Sequence, residues 1–376
     1  MKKKIAIIGA SYLQVPLIVK AKEMGIETHC FAWEDGAVGK EISDYFYPIS
    51  ILNMEDIYLQ CAELKIDGIT TIATDMAVPT ICYVAEKLNL VSNSFQSALA
   101  STDKSIMRSR FLEFNVLSPA FLKVEDENEN YLENVFFQKT IFPYIVKPVD
   151  RSGSRGVTKV ENREELIKAV GISCSESFVD KCLIEEYIDG QEVSVETISF
   201  NGVHHLLAIT DKVTTGAPFF VELEHHQPSR LSENILTSLE IETFKALNAL
   251  DIKYGAGHSE FKITKEGKIY IIEVGARMGG DFIGSHLVNL STGYDFLKGV
   301  LNVALNSFET PHFSSNYNSG VYFLCKETEN IQSFFYDYND FIIEKNILNN
   351  NLKNITNSND RSGYLVYQSK DKIILQ

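Results

Sequence analysis

The chain has 376 residues, of which 45% are hydrophobic and 23% charged, and a formal net charge of −15 at pH 7. That length is enough for two or three modules with proper cores, and the composition is ordinary for a soluble globular protein. An acidic balance without a basic patch excludes a nucleic-acid binder, and no apolar run approaches the roughly 20 residues of a membrane span. Cys30, Cys61, Cys82, Cys174, Cys182 and Cys325 are scattered without a CxxC pair. They read as reduced, mostly buried thiols rather than disulfides or zinc ligands.

The opening MKKKIAIIGAS joins basic residues to a short apolar stretch. That stretch runs straight into a glycine turn and a helical pattern, so it reads as a first β-strand rather than a signal peptide. A cytoplasmic location is expected. Over residues 1–95, KKIAIIG, IETHCFA and IDGITTIAT read as strands, and YLQVPLIVKAKEMG and AVPTICYVAEKLNL as helices. Such alternation implies a parallel, doubly wound sheet. The first turn, Gly9-Ala10-Ser11, lacks the GxGxxG fingerprint, so the module is Rossmann-like in pattern only and argues for no dinucleotide. Thr74-Asp75 ends the last of these strands, where such sheets carry ligands; a substrate contact and a helix N-cap both remain open.

Residues 96–305 become β-rich, with candidate strands FPYIVKP, GVTKV, KCLIEEYI, QEVSVETISF, VHHLLAIT, FFVELE, HSEFKIT and KIYIIEVG. Residues 306–376 read as a small β-rich tail, with strand-like GVYFLC and GYLVYQ on either side of NILNNNLKNITNSND. This Asn-rich stretch is expected to be a flexible surface loop. The fold class is therefore α/β and α+β.

Three segments carry chemistry. In YIVKPVDRSGSRGVTKV a strand delivers Lys147, Pro148 stops it, and a Gly/Ser/Arg loop from Ser152 to Gly156 follows. Small residues let backbone N–H groups crowd around phosphate oxygens, and the lysine adds a fixed charge. A plain turn accounts for the same residues. In LIEEYIDGQEVSVETIS two carboxylates precede an Asp189-Gly190 turn and Glu192 follows it. These acids and an exposed backbone edge suit an adenine and ribose; a solvated charged hairpin is the alternative.

The strongest segment is HSEFKITKEGKIYIIEVGARMGG, an antiparallel hairpin that turns at Lys265-Glu266-Gly267-Lys268. It places Glu260 and Glu273 on neighbouring strands, facing the same way. Two like charges that close need a cation, and hard oxygen ligands select Mg²⁺. Arg277 then offers a fork for a phosphate or carboxylate, and Gly279-Gly280 permits close backbone approach.

The order DK-x-x-MR, VKP-loop-GV, EEYI-x-G-x-E and E…E-x-x-x-R-x-GG resembles the ATP-grasp ligases over roughly residues 100–285. The resemblance implies a Rossmann-like pre-ATP-grasp domain over 1–95, an ATP-grasp domain over 96–305 and a small C-terminal β-rich domain over 306–376. It further implies that Lys104 and Lys147 contact ATP phosphates. Glu185, the backbone of Glu186 and Ile188, and the Glu192 carboxylate would hold adenine and ribose. Ser152, Gly153, Ser154 and Gly156 would close over the phosphates. Glu260 and Glu273 would bind Mg²⁺ or Mn²⁺, with Arg277 on the transferred phosphate and Lys212 reaching the same group. Many members carry an Asn ligand two residues after the second acid; here that position is Gly275.

Within the family the chain is most similar to bacterial L-amino-acid ligases that make dipeptides. That likeness implies substrate contacts from Glu222 and His225, with His226 as the rival inward residue, and from His258, Gly280 and Asp281. An acid at 281 favours an amine-bearing substrate. The implied reaction phosphorylates a small-molecule carboxylate to an acyl phosphate and couples it to an amine, releasing ADP and phosphate. Family habit implies a homodimer. The alternatives are a purine-pathway-like enzyme using formate or bicarbonate and a non-catalytic ATP-binding regulatory protein.

Overall fold

The computed structural model describes residues 2–124 and 142–375. The first sheet is formed by β1 (Lys4–Ile8), β2 (Glu27–Phe31), β3 (Tyr45–Tyr47) and β4 (Gly68–Thr70), all parallel and in the order β3-β2-β1-β4. Ile5, Ala6, Ile7 and Ile8 are all buried, as a parallel strand covered on both faces requires. Helices α1 (Val15–Glu23), α2 (Met54–Leu64) and α3 (Val78–Leu88) supply the covers; α1 and α3 each carry a proline in the first turn, where its missing N–H costs nothing. β4 is shorter than the apolar run IDGITTIAT predicts. After Thr70 the chain leaves the sheet, and the Ala73 N–H donates to the Met278 carbonyl at 3.1 Å. This bend carries Asp75 away from the helix N-cap and towards the glycine pair.

Two further helices, α4 (Phe95–Thr102) and α5 (Lys104–Glu113), follow. Asp103 caps α5 by accepting from the Ser105 and Ile106 N–H groups, which places Lys104 at the first helical position. A second sheet has the order β5-β8-β6-β7, with β5 (Phe121–Val124), β6 (Tyr144–Pro148), β7 (Thr158–Val160) and β8 (Cys182–Glu186). Helix α6 (Arg163–Glu176) packs Leu166, Ala169 and Val170 against it.

The third sheet has eight strands in the order β13-β12-β9-β10-β11-β14-β16-β15, every neighbour antiparallel. Its strands are β9 (Gln191–Phe200), β10 (Val203–Thr214), β11 (Glu222–Gln227), β12 (Gly255–Ile263), β13 (Ile269–Gly275), β14 (Asn318–Leu324), β15 (Ile342–Ile347) and β16 (Gly363–Ser369). Helices α7 (Glu233–Ala249), α8 (Val288–Thr292) and α9 (Phe296–Ala304) complete the chain.

One expectation needs correction and two gain detail. The strand read in FFVELE starts later, at Glu222, because Phe220 turns with φ +52° and its N–H closes on the Gly216 carbonyl. The strands of the small C-terminal region extend the larger sheet: β14 pairs with β11 through Tyr322–Glu224, Val321–His225 and Gly320–His226. The Asn-rich stretch is largely irregular and exposed, as read for a surface loop, but it is anchored at both ends. Asn346 and Ile347 end β15, Ile355 is 1% exposed, and the Asn357 and Asp360 side chains cap a short 3₁₀ turn at Ser358–Asp360.

Gly190 sits where the β8–β9 turn meets the end of β12; a Cβ there would lie 2.2 Å from the Ile263 carbonyl oxygen. Gly190→Ala should therefore destabilise the fold by about 1–3 kcal/mol. Asp189→Ala, at the exposed neighbouring position, should change stability little. Denaturant midpoints for both variants check this.

Candidate active site

Three chambers lie in a row between the sheets. The first, about 190 Å³, is walled by β6, β8, β12 and β13 and the Ser152–Ser154 loop. The second, also about 190 Å³, shares Ser152, Gly153, Ser154, Glu222, His258, Glu260 and Arg277 with the first. The third, about 450 Å³, meets the second at Leu13, Ala73, Gly280, Asp281 and Ser358.

In the first chamber β6 brings Lys147 beside Glu185 of β8, with Nζ 2.7 Å from the carboxylate. Arg108 of α5 takes the other oxygen at 2.9 Å. Burial alone would raise the Glu185 carboxyl, but the charges of Arg108 and Lys147 outweigh it and hold it below the usual carboxylate range. Burial pulls the Lys147 ammonium down, and Glu185 offsets part of that. Glu185 was expected at the adenine and ribose, yet both its oxygens face cations. The chain edge Glu186–Ile188 still lines the chamber. Arg108 was missed as a site residue, although it is the final residue of the DK-x-x-MR motif.

Lys104 donates to the Arg151 carbonyl at 2.6 Å and to Glu273 at 2.9 Å. Glu260 and Glu273 are direct cross-strand partners on β12 and β13, so their side chains share a face. Lys212 of β10 stands 2.7 Å from Glu260, 3.1 Å from Glu192 and 3.6 Å from Glu222. Burial works against its charge, but these three carboxylates raise it well above the ordinary lysine value. Glu260 is held well below the carboxylate range, the cost of burial being overcome by Lys212 and His258. Glu192 is shared with Lys262 at 3.0 Å.

The second chamber is built on ion pairs across the fold. Arg277 grips Asp75 with Nε 2.9 Å and Nη2 2.8 Å from the two carboxylate oxygens. Burial would raise the Asp75 carboxyl, and Arg277 more than reverses it. This pair also explains Gly275: a Cβ there would lie 2.6 Å from Asp75 Oδ1 and 3.1 Å from Arg277 Cζ. A side-chain ligand at 275 would displace the clamp. His258 hydrogen-bonds Glu196 through Nδ1 and Glu260 through Nε2, the latter at 3.2 Å. Burial would lower its imidazole, but Glu196 above all pushes it up to about 9, so the ring is a cation at neutral pH. Gly279 admits this pair, since a Cβ there would lie 2.8 Å from both Glu196 Oε1 and His258 Nδ1. Glu196 escaped the sequence reading, although Glu192, Ser194 and Glu196 alternate along β9 and so face one way.

Successive residues of β11 point to opposite faces. His225 faces the chamber, 1% exposed, with no hydrogen-bond partner for either ring nitrogen among the described residues and Nε2 3.9 Å from Asp281. His226 turns the other way, to Tyr367 at 2.9 Å and Glu224 at 2.8 Å. Asp281 departs from the free acid expected there. Arg361, just after the 3₁₀ turn of the tail, pairs with it at 2.8 Å and with the Glu222 carboxylate at 3.3 Å. Burial would raise the Asp281 carboxyl; Arg361 and His225 lower it strongly instead. Nothing in the local sequence around Arg361 signals this role.

The loop residues Ser152, Gly153 and Ser154 line both of the first two chambers, whereas Gly156 lines none of the three. Gly156 has φ +69°, and a Cβ there would lie 2.8 Å from Pro148 Cγ, so it is the loop's turning point. Among the described residues no group of three or more His, Cys, Asp and Glu is arranged to hold a metal ion by itself. Among them, too, no helix is long and apolar enough to cross a membrane.

Residues 140–285 match the ATP-grasp domain family. The chain is 25% identical over 277 residues to the alanine–anticapsin ligase of Bacillus subtilis, a match spanning 64% of this chain and 57% of that protein. It is 26% identical over 307 residues to the carbamoyl phosphate synthase large chain of Caldanaerobacter subterraneus subsp. tengcongensis, spanning 79% of this chain but 27% of that one. The chain thus spans less than two thirds of these relatives' lengths. The crystal structure of an L-amino acid ligase from Bacillus licheniformis superposes with TM-score 0.81 at 24% identity, covering 98% of this chain and 94% of that one. These likenesses give the chain the ATP-grasp fold.

The His258 imidazolium bridges two carboxylates, and its folded value of about 9 lies above the unfolded value of 6.5. Its stabilising contribution is then complete below pH 6.5 and is lost as pH rises through 9. The melting temperature of the protein should exceed that of His258→Gln most at pH 6, and the difference should shrink towards pH 9.5. A pH-independent difference would contradict the charge assignment.

Proposed function

We propose that this ATP-grasp chain is an ATP-dependent carboxylate–amine ligase, which phosphorylates a small-molecule carboxylate, an amino acid, and couples it to an amine. The observation that carries this reading is the cross-strand pair Glu260 and Glu273. Each acid is held by a different lysine, Lys212 and Lys104, and both open onto one chamber that also holds Lys147, the glycine loop and Arg277. Two carboxylates beside four ammonium or guanidinium groups suit a polyphosphate whose charge is shared between cations. The amino-acid class rests on the likeness to the alanine–anticapsin ligase.

The donor set fits a hard divalent ion, Mg²⁺ or Mn²⁺, at Glu260 and Glu273, and the space above Gly275 is already filled by Asp75 and Arg277. Such an ion, when bound, spreads the negative charge of the transferring phosphoryl group. Lys104 and Lys147 hold the phosphates of ATP at the end nearest the loop. The backbone edge from Glu186 to Ile188 receives the adenine, and Glu192 the ribose. Ser152–Ser154 sits over both chambers and excludes water from the intermediate.

Arg277, fixed in direction by Asp75, points its charge at the junction of the chambers. There the substrate carboxylate attacks the γ-phosphorus, the bond to the β-phosphate oxygen breaks, and ADP leaves. The neutral amine then attacks the carbonyl carbon of the acyl phosphate, the carbon–oxygen bond to phosphate breaks, and inorganic phosphate departs with the proton the amine loses. Arg277 faces the oxyanion of that step. Glu222 and His225 line the wall where the amino acid sits, and His225, without a hydrogen-bond partner among the described residues, is available to it.

ADP and phosphate release should depend on amino acids supplied in pairs, with a product lighter than its parts by one water on mass spectrometry. ATP binding without release across the panel would overturn the ligase reading. Glu273→Ala should lower kcat by about 10²-fold or more, the typical loss for a key electrostatic group; near-normal turnover would remove the metal assignment.

A further inference from the structure

The third chamber has no part in the chemistry above, yet it opens directly from the chamber where that chemistry is placed. The passage runs between Gly280 and Ala73, and a Cβ added at Gly280 would meet only the Ala73 Cβ, at 3.7 Å. Ala73, Asp281 and Phe282 all hold positive φ, at 59°, 48° and 67°. Such strained backbone collects where a site's shape is imposed by its surroundings. Beyond the passage the walls are mainly apolar, formed by Tyr12, Leu13, Ile72, Phe282, Phe323 and Tyr364, with Ser285, His286, Asn346, Ser358 and Asn359 as uncharged or weakly basic polar neighbours. Phe282 packs on Tyr364 with ring centroids 4.4 Å apart.

Charge at the rim is already cancelled. Arg361 is ion-paired to Asp281 and Glu222, and its guanidinium lies 3.7 Å from the Phe323 ring centroid. A charged group entering the cavity would find neither a free cation nor a free anion among these residues and would lose its hydration uncompensated. An apolar group gains from burial there. The volume, about 450 Å³, is in the range of pockets that enclose small organic ligands, far more than a methyl group needs.

We propose that the acyl-donating substrate is an α-amino acid with a bulky apolar side chain, aromatic or large aliphatic, seated in this cavity. Its carboxylate lies in the second chamber beside Arg277, and its side chain passes Gly280. The inference rests on the ligase reading for the word acyl-donating, but not for the occupant of the cavity.

The test combines two measurements on the full chain. Tandem mass spectrometry of the products places each amino acid on the acyl or the amine side, using phenylalanine, leucine, alanine and glutamate in all pairs. Calorimetry measures phenylalanine and alanine binding in the presence of Mg²⁺ and a non-hydrolysable ATP analogue. Phenylalanine or leucine should occupy the acyl position with kcat/KM at least about tenfold above alanine, the least that one methylene's difference in a hydrophobic pocket can give. Ser285→Phe and, independently, Leu13→Phe, each filling the cavity, should lower the phenylalanine-to-alanine ratio at least about tenfold.

Alanine or glutamate in the acyl position, or bulky residues on the amine side alone, would overturn the proposal while leaving the ligase reading intact. No turnover with any pair, but phenylalanine binding that both variants weaken, would remove the ligase reading and keep the cavity's assignment. No turnover and no phenylalanine binding would remove both.

Discussion

Lys212 keeps its charge in the interior because its one buried ammonium faces three carboxylates, Glu260, Glu192 and Glu222, within 3.6 Å. Carboxylates from β9, β11 and β12 converge on it, and without a cation at the centre their mutual repulsion would push those strands' ends apart. Removing one partner of a buried ion cluster costs far more than the pair contributes, because the remaining charge is stranded. The same arrangement recurs along the cleft. Lys147 and Arg108 hold Glu185, Lys104 holds Glu273, and Arg277 holds Asp75. The cleft is thus built of acids whose partners are cations, which suits the binding of an anion with its own counter-ions: partners can be exchanged without leaving a charge bare.

These pairs also tie distant parts of the chain to one place. Asp75 comes from the bend after the parallel sheet, Arg277 follows β13, and 202 positions separate them in sequence. Arg361 arrives from the tail and closes on Asp281 and Glu222, which are themselves far apart in the chain. A shift of the first sheet or of the tail against the eight-stranded sheet would therefore be felt directly at the junction of the chambers. Geometry at that junction depends on three segments packing together, not on any one hairpin.

Much of this was legible beforehand. The parallel sheet follows from apolar runs buried on both faces, and the Glu260–Glu273 hairpin from strand length and a glycine turn, because strand pairing of near neighbours is a local property. Lys104, Lys147 and Arg277 stood in motifs whose order carried the information. The choice of His225 over His226 rested on the resemblance alone, since the face of a strand is set by register with β10 and β14. Glu185 illustrates a second limit: its residue type was noted, but its engagement with Arg108 depends on a helix seventy-seven positions away.

The sequence by itself determined the element types, the acids and cations that the hairpins carry, and the small residues at the loop and the glycine pair, since each is written in spacing of two or 3.6 and in turn chemistry. Only the tertiary structure decided which charges neutralise which. It folded the Asn-rich tail onto the site, joined β14 to β11 in one continuous sheet, and filled the space above Gly275 with Asp75 and Arg277. The physical reason is that ion pairing and cavity walls depend on distance in space, and the partners here lie tens to hundreds of residues apart along the chain.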